Sequence, residues 1–249
     1  MLQYRDDGVV LRTQKLGEAD RIITLLCRRS GRVRAVAKGV RRTKSRFGAR
    51  LEPFTHVDVL VHPGRSLDVI TQAEVIRPYG AGLAEDYARY TAGTAMLETA
   101  ERLTPVEKEP SVRQFLLLIG GLRTLGETGD GEKEPRLVLD AYLLRSLAVA
   151  GYAPALEECA RCGAPGTRKP LVGFAVAAGG MVCASCRPAG AATPASQTVT
   201  LMLALLRGDW ETAMTSERRH RVECSGLVAA HLQWHLEHSI RSLRHVERA

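Results

Sequence analysis

The chain has 249 residues, an ordinary apolar content of 45% and a formal net charge of +8. This length corresponds to one large domain or to two or three small ones, at roughly 100–200 residues per domain. No run of about 18 apolar residues occurs, so we predict no membrane-spanning helix, and since the amino terminus lacks the pattern of a secretory signal we expect a cytoplasmic protein.

The positive charge is concentrated in the first third of the chain. Residues 1–80 contain 16 lysines and arginines against 8 acidic residues, whereas residues 81–249 contain 19 of each. The whole charge excess therefore belongs to the first third. An asymmetry of this kind indicates that this part of the chain binds a polyanion.

Residues 1–80 contain five β-rich segments separated by turn residues, which predicts five short strands. In the fourth segment, Val57, Val59 and Val61 alternate with polar residues, as in a strand that buries one face. Five strands in so short a stretch are typical of a small barrel such as the oligonucleotide/oligosaccharide-binding (OB) fold, although other small barrels show the same pattern.

From Pro78 onward the apolar residues recur at helical spacing. We predict one helix over 81–103, a second after Ser111, a third from Pro135, a fourth ending at Gly208 and a long helix at the end. The fold class is therefore α+β and multidomain. The predicted domains are an OB-type barrel at 1–80, a first helical part at 81–155, an inserted four-cysteine module at 156–190 and a second helical part at 191–249.

Four of the six cysteines form two Cys-x-x-Cys pairs, Cys159 with Cys162 and Cys183 with Cys186. Each pair can direct two thiolates at one ion, and two pairs complete a tetrahedral zinc site without an open position. We therefore expect one structural Zn²⁺. Redox-active dithiols are the alternative, but the first pair does not lie at a strand-to-helix turn of a βαβ unit. Whether this module contacts DNA stays open.

The stretch from Arg32 to Arg50 carries eight cations and no acidic residue. Strand alternation places the first of them on the outer face of the third strand, and a glycine-containing loop carries the rest. Lysine and arginine bind phosphates in a salt-dependent and sequence-blind manner. The candidate nucleic-acid contacts are Arg32, Arg34, Lys38, Arg41, Arg42, Lys44, Arg46 and Arg50.

Aromatic residues near this stretch are candidates for base stacking. Phe47 lies within it, and Phe54 and Tyr4 are close in sequence. Aromatic rings interleaved with cations are typical of proteins that bind single-stranded nucleic acid. The alternative for the whole stretch is a solvated loop beside an ordinary barrel.

Other functions are compatible with parts of the sequence. Zinc deaminases use H-x-E followed by P-C-x-x-C, but here His235-Leu236-Glu237 follows both cysteine pairs, which disfavours that class. His231, His235 and His238 lie along one stripe of the last helix, where we expect a solvated or half-buried polar border rather than a second metal site. A zinc-bearing RNA-binding or transcription-associated module is a further alternative, because charge does not separate DNA from RNA.

Two segments of the sequence resemble a known bacterial family. Residues 7–54, with "EADR" before the second strand and "AKGVRRTKS" after the third, are similar to the amino-terminal pattern of the recombination mediator RecO. The segment "LVGFAVAAGGMVCASC" resembles the zinc segment of that family. The resemblance extends over essentially the whole chain. It implies an OB barrel followed by a helical domain that carries a zinc-finger-like insertion.

The resemblance also implies an activity without catalysis. The implied activities are binding of single- and double-stranded DNA, annealing of complementary strands, and loading of RecA onto strands coated by single-strand-binding protein. RecR and the acidic tail of the single-strand-binding protein are the implied partners, and a nucleoid-associated location follows. The sequence contains no G-x-x-x-x-G-K-[ST] loop, so we expect no nucleotide hydrolysis.

Overall fold

The strands of the amino-terminal third close into a barrel. The computed structural model describes residues 2–45, 47–127 and 132–236. The strands are β1 Tyr4–Leu16, β2 Asp20–Cys27, β3 Gly31–Ala37, β4 Thr55–His62 and β5 Asp68–Pro78. Their order is β1-β2-β3-β5-β4, and β4 pairs back onto β1. This five-stranded Greek-key barrel is the OB architecture, and it confirms the predicted fold class.

The barrel core is built from the inward faces of all five strands. Burial alternates along β3, where Val33, Ala35 and Ala37 are buried, and β4 shows the predicted alternation of buried valines with more exposed polar residues. Phe47 and Leu51, from the loop between β3 and β4, join the same core. Since a strand with one buried face must repeat every second residue, the sequence pattern was sufficient to locate these strands.

The barrel closes at a short seam between β3 and β5. The two strands are parallel and pair only at Ala35 with Asp68 and at Val36 with Val69. In the described part of the chain, the first half of β3 and the second half of β5 therefore lack a strand partner along this seam. Residues 104–111, which we call the strap, lie along the first half of β3, and the β3–β4 loop lies against residues 71–75 of β5.

Three helices follow the barrel within the same compact unit, Met1–Glu132. They are α1 Gly80–Ala84, α2 Tyr87–Leu103 and α3 Val112–Leu125. The single helix predicted over 81–103 is therefore wrong. It divides before Asp86, whose carboxylate accepts a hydrogen bond from the backbone N–H of Arg89 at 3.0 Å and so caps α2.

The second compact unit, Lys133–Ala249, contains the remaining helices and a small hairpin. Its elements are α4 Pro135–Val149, β6 Leu171–Ala175, β7 Gly180–Cys183, α5 Ser196–Arg207, α6 Trp210–Met214 and α7 Arg218–His235. The predicted start of α4 at Pro135 and the predicted stop of α5 at Gly208 are confirmed. The last helix begins earlier than predicted, and its predicted continuation past residue 236 lies outside the described residues. No described helix is both long enough and apolar enough to cross a bilayer.

Candidate nucleic-acid interface and metal centre

The basic loop, residues 38–54 between β3 and β4, leaves the barrel beside the β1–β2 turn. The backbone N–H of Arg41 donates to the carbonyl of Ala19 at 2.9 Å, and its guanidinium donates to the carbonyl of Glu18 at 2.9 Å. Arg41 is thus a residue that fastens the loop to the turn. In OB folds the β1–β2 loop is one of the elements that contact nucleic acid. The fold brings the basic loop next to this element of the barrel.

Three cations of the basic loop are exposed and have no acidic partner among the described residues. Among the described residues, no carboxylate lies within ion-pair distance of Lys38, Arg42 or Lys44. The one acid of the loop, Glu52, is paired with Arg21 at 2.6 Å. Exposed cations whose charge is not compensated within the protein are available to neutralise phosphates.

The other predicted contacts of the loop are placed differently. Arg50 is exposed and lines, together with the buried Phe47, a cavity against residues 71–75 of β5. Arg46 lies outside the described residues. Of the five cations predicted on the loop, Arg42 and Lys44 thus face solvent without an acidic partner, whereas Arg41 and Arg50 are also held by the protein itself.

Arg32 and Arg34 lie on the outer face of β3, as strand alternation predicted, but another segment of the chain covers part of each side chain. The strap covers them: Arg32 donates to the carbonyl of Pro105, and the Arg34 guanidinium lies 3.6 Å from the Glu107 carboxylate. The residues of β2 opposite these arginines are buried, and α3 packs against β1 and β2. The outer face of β2 and β3, which contacts nucleic acid in many OB folds, is therefore partly occupied.

Two of the three aromatic residues predicted to stack on bases are buried, so that prediction is wrong for Phe47 and Phe54. Phe47 and Phe54 are 1% and 5% exposed and belong to packed interiors. Tyr4 is half-buried and donates its hydroxyl to the Asp68 carboxylate at 3.0 Å, and burial together with this acceptor raises the pKa of the phenol. The large aromatic side chains that are exposed in this unit belong to Tyr87 and Tyr90 on α2.

The four cysteines of the two Cys-x-x-Cys pairs converge in the second unit. The Sγ atoms of Cys159, Cys162, Cys183 and Cys186 all lie within 4.8 Å of one another. The Sγ atoms of Cys162 and Cys183 are 4.0 Å apart. Four thiolates around one zinc ion, each at about 2.3 Å, lie about 3.8 Å apart, so the donor set and its spacing fit a tetrahedral metal ion.

The polypeptide around this metal centre is held by short-range backbone pairing. The turn at Cys159 accepts from the N–H of Gly163 at 2.8 Å, and the β6–β7 hairpin carries the second pair at its end. Gly180 starts β7 with φ +152°, and a Cβ there would lie 2.3 Å from the carbonyl of Ala155. A side chain at this position would push the hairpin away from residue 155, so the glycine is required for the two cysteine turns to meet.

The environment favours the thiolate form that a metal needs at two of the four thiols, Cys159 and Cys183, whereas hydrogen bonds with Cys183 and Cys162 raise the pKa of Cys186 to about 12. Hydrogen bonds from the backbone N–H groups of Cys183 and Cys162 lower the pKa of Cys159 to about 6, and the Ser185 hydroxyl lowers the pKa of Cys183. By contrast, burial raises the pKa of Cys27 and of Cys224. Those two cysteines are buried and lie outside the cluster, as is typical of inert structural cysteines.

The histidines of the last helix form no metal cluster among the described residues. His231 is 1% exposed, donates from Nε2 to the Tyr152 carbonyl at 2.9 Å, and packs edge-on against Phe174. The expectation of a solvated or half-buried border is therefore wrong for His231 and correct for the half-buried His235. Glu237 of the H-x-E sequence, and His238, lie outside the described residues.

Comparison with known proteins covers nearly all of the chain. Residues 1–79 match the family described as Recombination protein O N terminal, and residues 84–244 match Recombination protein O C terminal. The chain is 69% identical to the DNA repair protein RecO of Thermobifida fusca and 63% identical to that of Streptomyces griseus, in both cases over the full length of both chains. It is 60% identical to the DNA repair protein RecO of Nocardioides over 98% of this chain and 99% of the relative. On these matches, the chain belongs to the Recombination protein O (RecO) family.

Proposed function

We propose that this protein binds single- and double-stranded DNA through its barrel and acts as a recombination mediator without catalysing a reaction itself. The observation that carries the proposal is the exposed, acid-free group of Lys38, Arg42 and Lys44 on a loop fastened to the β1–β2 turn. The names of its relatives place them in DNA repair, which supports DNA as the polyanion.

Annealing follows from the kind of contact that these cations make. Two complementary strands repel each other through their phosphates, and cations that neutralise phosphates on both strands reduce that repulsion. Since the contacts are to the backbone, the base edges stay free to pair. The remaining predicted contacts among the described residues, Arg32, Arg34, Arg41 and Arg50, would extend the same surface along β3 and the loop, and Arg46 stays a predicted contact.

Membership of the family extends the proposal to partners. We propose that the protein works with RecR and with the acidic tail of single-strand-binding protein, and that it helps RecA to assemble on strands coated by that protein. In the second unit, the four thiolates would hold one Zn²⁺. With four protein ligands the ion has no open position, so its contribution would be structural.

A salt titration tests the proposed DNA surface. Replacing Lys38, Arg42 and Lys44 together with Ala should flatten the slope of log affinity against log salt by about two units, at roughly 0.7 per lost single-strand contact. A triple variant of three exposed cations of the second unit, Arg168, Lys169 and Arg218, controls for net charge and should keep the slope. An unchanged slope in the barrel variant would show that the basic loop is only solvated.

Annealing itself is tested with complementary strands that are coated with the cognate single-strand-binding protein. The wild-type chain should accelerate duplex formation, and the barrel variant should lose most of that acceleration while the control variant keeps it. Competition between matched DNA and RNA strands decides the nature of the polyanion. A clear preference for RNA would contradict the mediator function.

A further inference from the structure

The strap, residues 104–111 between α2 and α3, is seated on the first half of β3. Its backbone pairs with the strand: the N–H of Lys108 donates to the carbonyl of Arg32 at 2.9 Å, and Glu107 forms a parallel bridge with Arg32. The strap thus takes the place of the strand partner that β3 lacks along the seam. It does so within one compact unit, so its contacts with the barrel are internal to that unit.

A glycine at the start of β3 allows the strap to lie this close to the strand. Gly31 has φ +66°, and a Cβ at this position would lie 1.8 Å from the carbonyl oxygen of Glu109. No other residue type fits beneath the strap without displacing it, because the atom in the way belongs to the backbone. The close approach of the strap to β3 is therefore a specific feature of the fold.

The strap is anchored firmly at one residue. The Lys108 ammonium lies 2.9 Å from the carboxylate of Asp68, which is 2% exposed and also accepts from Tyr4 and from the backbone N–H of Gly64. These donors lower the pKa of Asp68 even though its burial acts in the opposite direction. Lys108 satisfies a buried carboxylate, so its release from the barrel would be costly.

The neighbouring contact of the strap with Arg34 is weaker, because neither partner is buried, whereas Lys108, itself 53% exposed, pairs with a buried carboxylate. Arg34 and Glu107 are each 37% exposed and stand 3.6 Å apart, longer than a hydrogen bond. Ion pairs at this exposure contribute little to stability. In addition, the Nε atoms of Arg32 and Arg34 are buried and have no hydrogen-bond partner among the described residues. The strap therefore holds these two guanidinium groups without satisfying all of their donors.

The groups that the strap offers to the arginines resemble those of a nucleic-acid backbone. A carbonyl oxygen of Pro105 accepts from Arg32, and a carboxylate of Glu107 faces Arg34. The carbonyl is neutral and the carboxylate stands 3.6 Å away, whereas a phosphate carries charge and offers several oxygens to the same guanidinium donors at hydrogen-bond distance. A phosphate is therefore a better partner for this pair of arginines than the strap.

We propose that Arg32 and Arg34 form a second phosphate-binding station of the barrel, which residues 105–107 of the strap occupy in the free protein and from which a DNA strand displaces them. The inference rests on the proposed function, because it needs DNA to reach the barrel. DNA meets the exposed basic loop first, and its backbone then extends along β3 to the station. Lys108 keeps the strap attached while residues 105–107 lift.

Two matched glutamates of the strap test this inference. Glu107→Gln and Glu109→Gln each remove one negative charge from an exposed position of the strap, but only Glu107 faces an arginine among the described residues. We expect Glu107→Gln to bind a single-stranded dT oligonucleotide about two- to fivefold more tightly than Glu109→Gln, the range given by an exposed ion pair. The slope of log affinity against log salt should also become steeper, by up to about 0.7.

The same two glutamate substitutions, made in the Arg34→Ala variant, show whether the difference in affinity depends on Arg34. When Arg34 is replaced with Ala, the two glutamate variants should bind the oligonucleotide equally, because Glu107 has lost its ion-pair partner. Equal affinities of the two variants in the wild-type background would overturn the inference, and so would a difference that survives Arg34→Ala. If the Lys38, Arg42 and Lys44 variant weakens binding while the glutamate variants do not differ, the station fails and the proposed function stands. If the triple substitution leaves the affinity for the oligonucleotide unchanged, the proposed function itself is wrong.

Discussion

The barrel buries a cluster of fifteen hydrophobic residues around one core, whereas the four-cysteine module buries a cluster of four, two of which are the candidate metal ligands Cys159 and Cys183. A core of the first kind stabilises a small domain through burial of apolar surface. A segment of only about 35 residues does not fold on its own without a cross-link or a metal. The two regions therefore have different sources of stability: apolar burial in the barrel and metal binding in the module.

Removal of the metal should have the largest effect and should be confined to the second unit. Binding of a structural zinc ion contributes about 10–16 kcal/mol in small zinc modules. We expect one metal ion per chain by elemental analysis, and its loss on chelation or in Cys159→Ser. Trypsin should then cleave at Arg161 or Arg168 at least about tenfold faster, because the module unfolds without its ion.

The barrel provides the internal reference for that experiment. Amide hydrogen exchange in β2 and β3 should be the same with and without metal, since the barrel core contains none of the four cysteines. Cys224→Ala is the matched control, because Cys224 is a buried cysteine of the second unit outside the cluster. A metal-free chain whose module resists trypsin would contradict the assignment.

Within the barrel, the buried carboxylate of Asp6 should have the next largest effect. Asp6 is 1% exposed and accepts hydrogen bonds from the backbone N–H groups of Arg29 and Ser30 and from the Ser30 hydroxyl, at 2.7–3.3 Å. It thus organises the β2–β3 turn. Asp6→Ala leaves these donors without their acceptor, and we expect it to lower the free energy of unfolding of the barrel by about 3 kcal/mol.

The measurement must report on the barrel alone. Both tryptophans, Trp210 and Trp234, belong to the second unit, so hydrogen exchange of the slowest barrel amides is the appropriate probe. Asp58→Ala is the control: Asp58 pairs with Arg5 at 2.9 Å on the surface, and its loss should cost less than about 1 kcal/mol. Equal effects of the two substitutions would show that Asp6 has no special role in the turn.

The elements that the sequence predicted correctly are those with a strong local rule. The five strands followed from alternation, because burial of one face imposes a period of two on the chain. The start of α4 followed from Pro135, which lacks the N–H that the first turn of a helix leaves unpaired. The division between α1 and α2 was missed because apolar spacing runs through it, although Asp86, three residues before Arg89, was a visible capping signal.

The candidate sites show the same division between local and long-range information. The four cysteines were found together because ligand chemistry fixes the spacing within each pair. The strap was missed because Arg32 and Pro105 are 73 positions apart and neither carries a local signal for the other. Phe47 was assigned to the surface because a loop has no period from which its direction could be inferred, and it turned out to complete the barrel core.

The second unit also buries a carboxylate, and Asp140 contrasts with Asp6 in how it is satisfied. Asp140 is 3% exposed on α4 and accepts from the Ser225 hydroxyl of α7, which in turn accepts from Arg136 at 2.6 Å. Burial raises the pKa of Asp140 to about 7, although the Ser225 hydrogen bond and the charge of Arg136 act against the shift. Asp6 therefore organises a turn, whereas Asp140 is held in a desolvated position between two helices.

The raised pKa of Asp140 predicts a pH dependence of the second unit. Since its folded pKa lies above the unfolded value of about 3.9, the folded state holds an extra proton between about pH 4 and pH 7. The contribution of this group to stability is complete below that window and is lost as the pH rises through it. Asp140→Asn cannot ionise, so the free energy of unfolding of this variant should rise relative to that of the wild type from pH 5 to pH 7, on the order of 1 kcal/mol per pH unit. Urea unfolding followed by tryptophan fluorescence measures it.

Asp209→Asn is the matched control. The Thr212 hydroxyl and backbone N–H lower the pKa of Asp209, so this group stays ionised throughout the window. The free energy of unfolding of its variant should therefore change with pH in the same way as that of the wild type. If the Asp140 variant also runs parallel, the carboxylate is charged in the fold, and its pairing with Arg136 rather than its burial governs the contact between the two helices.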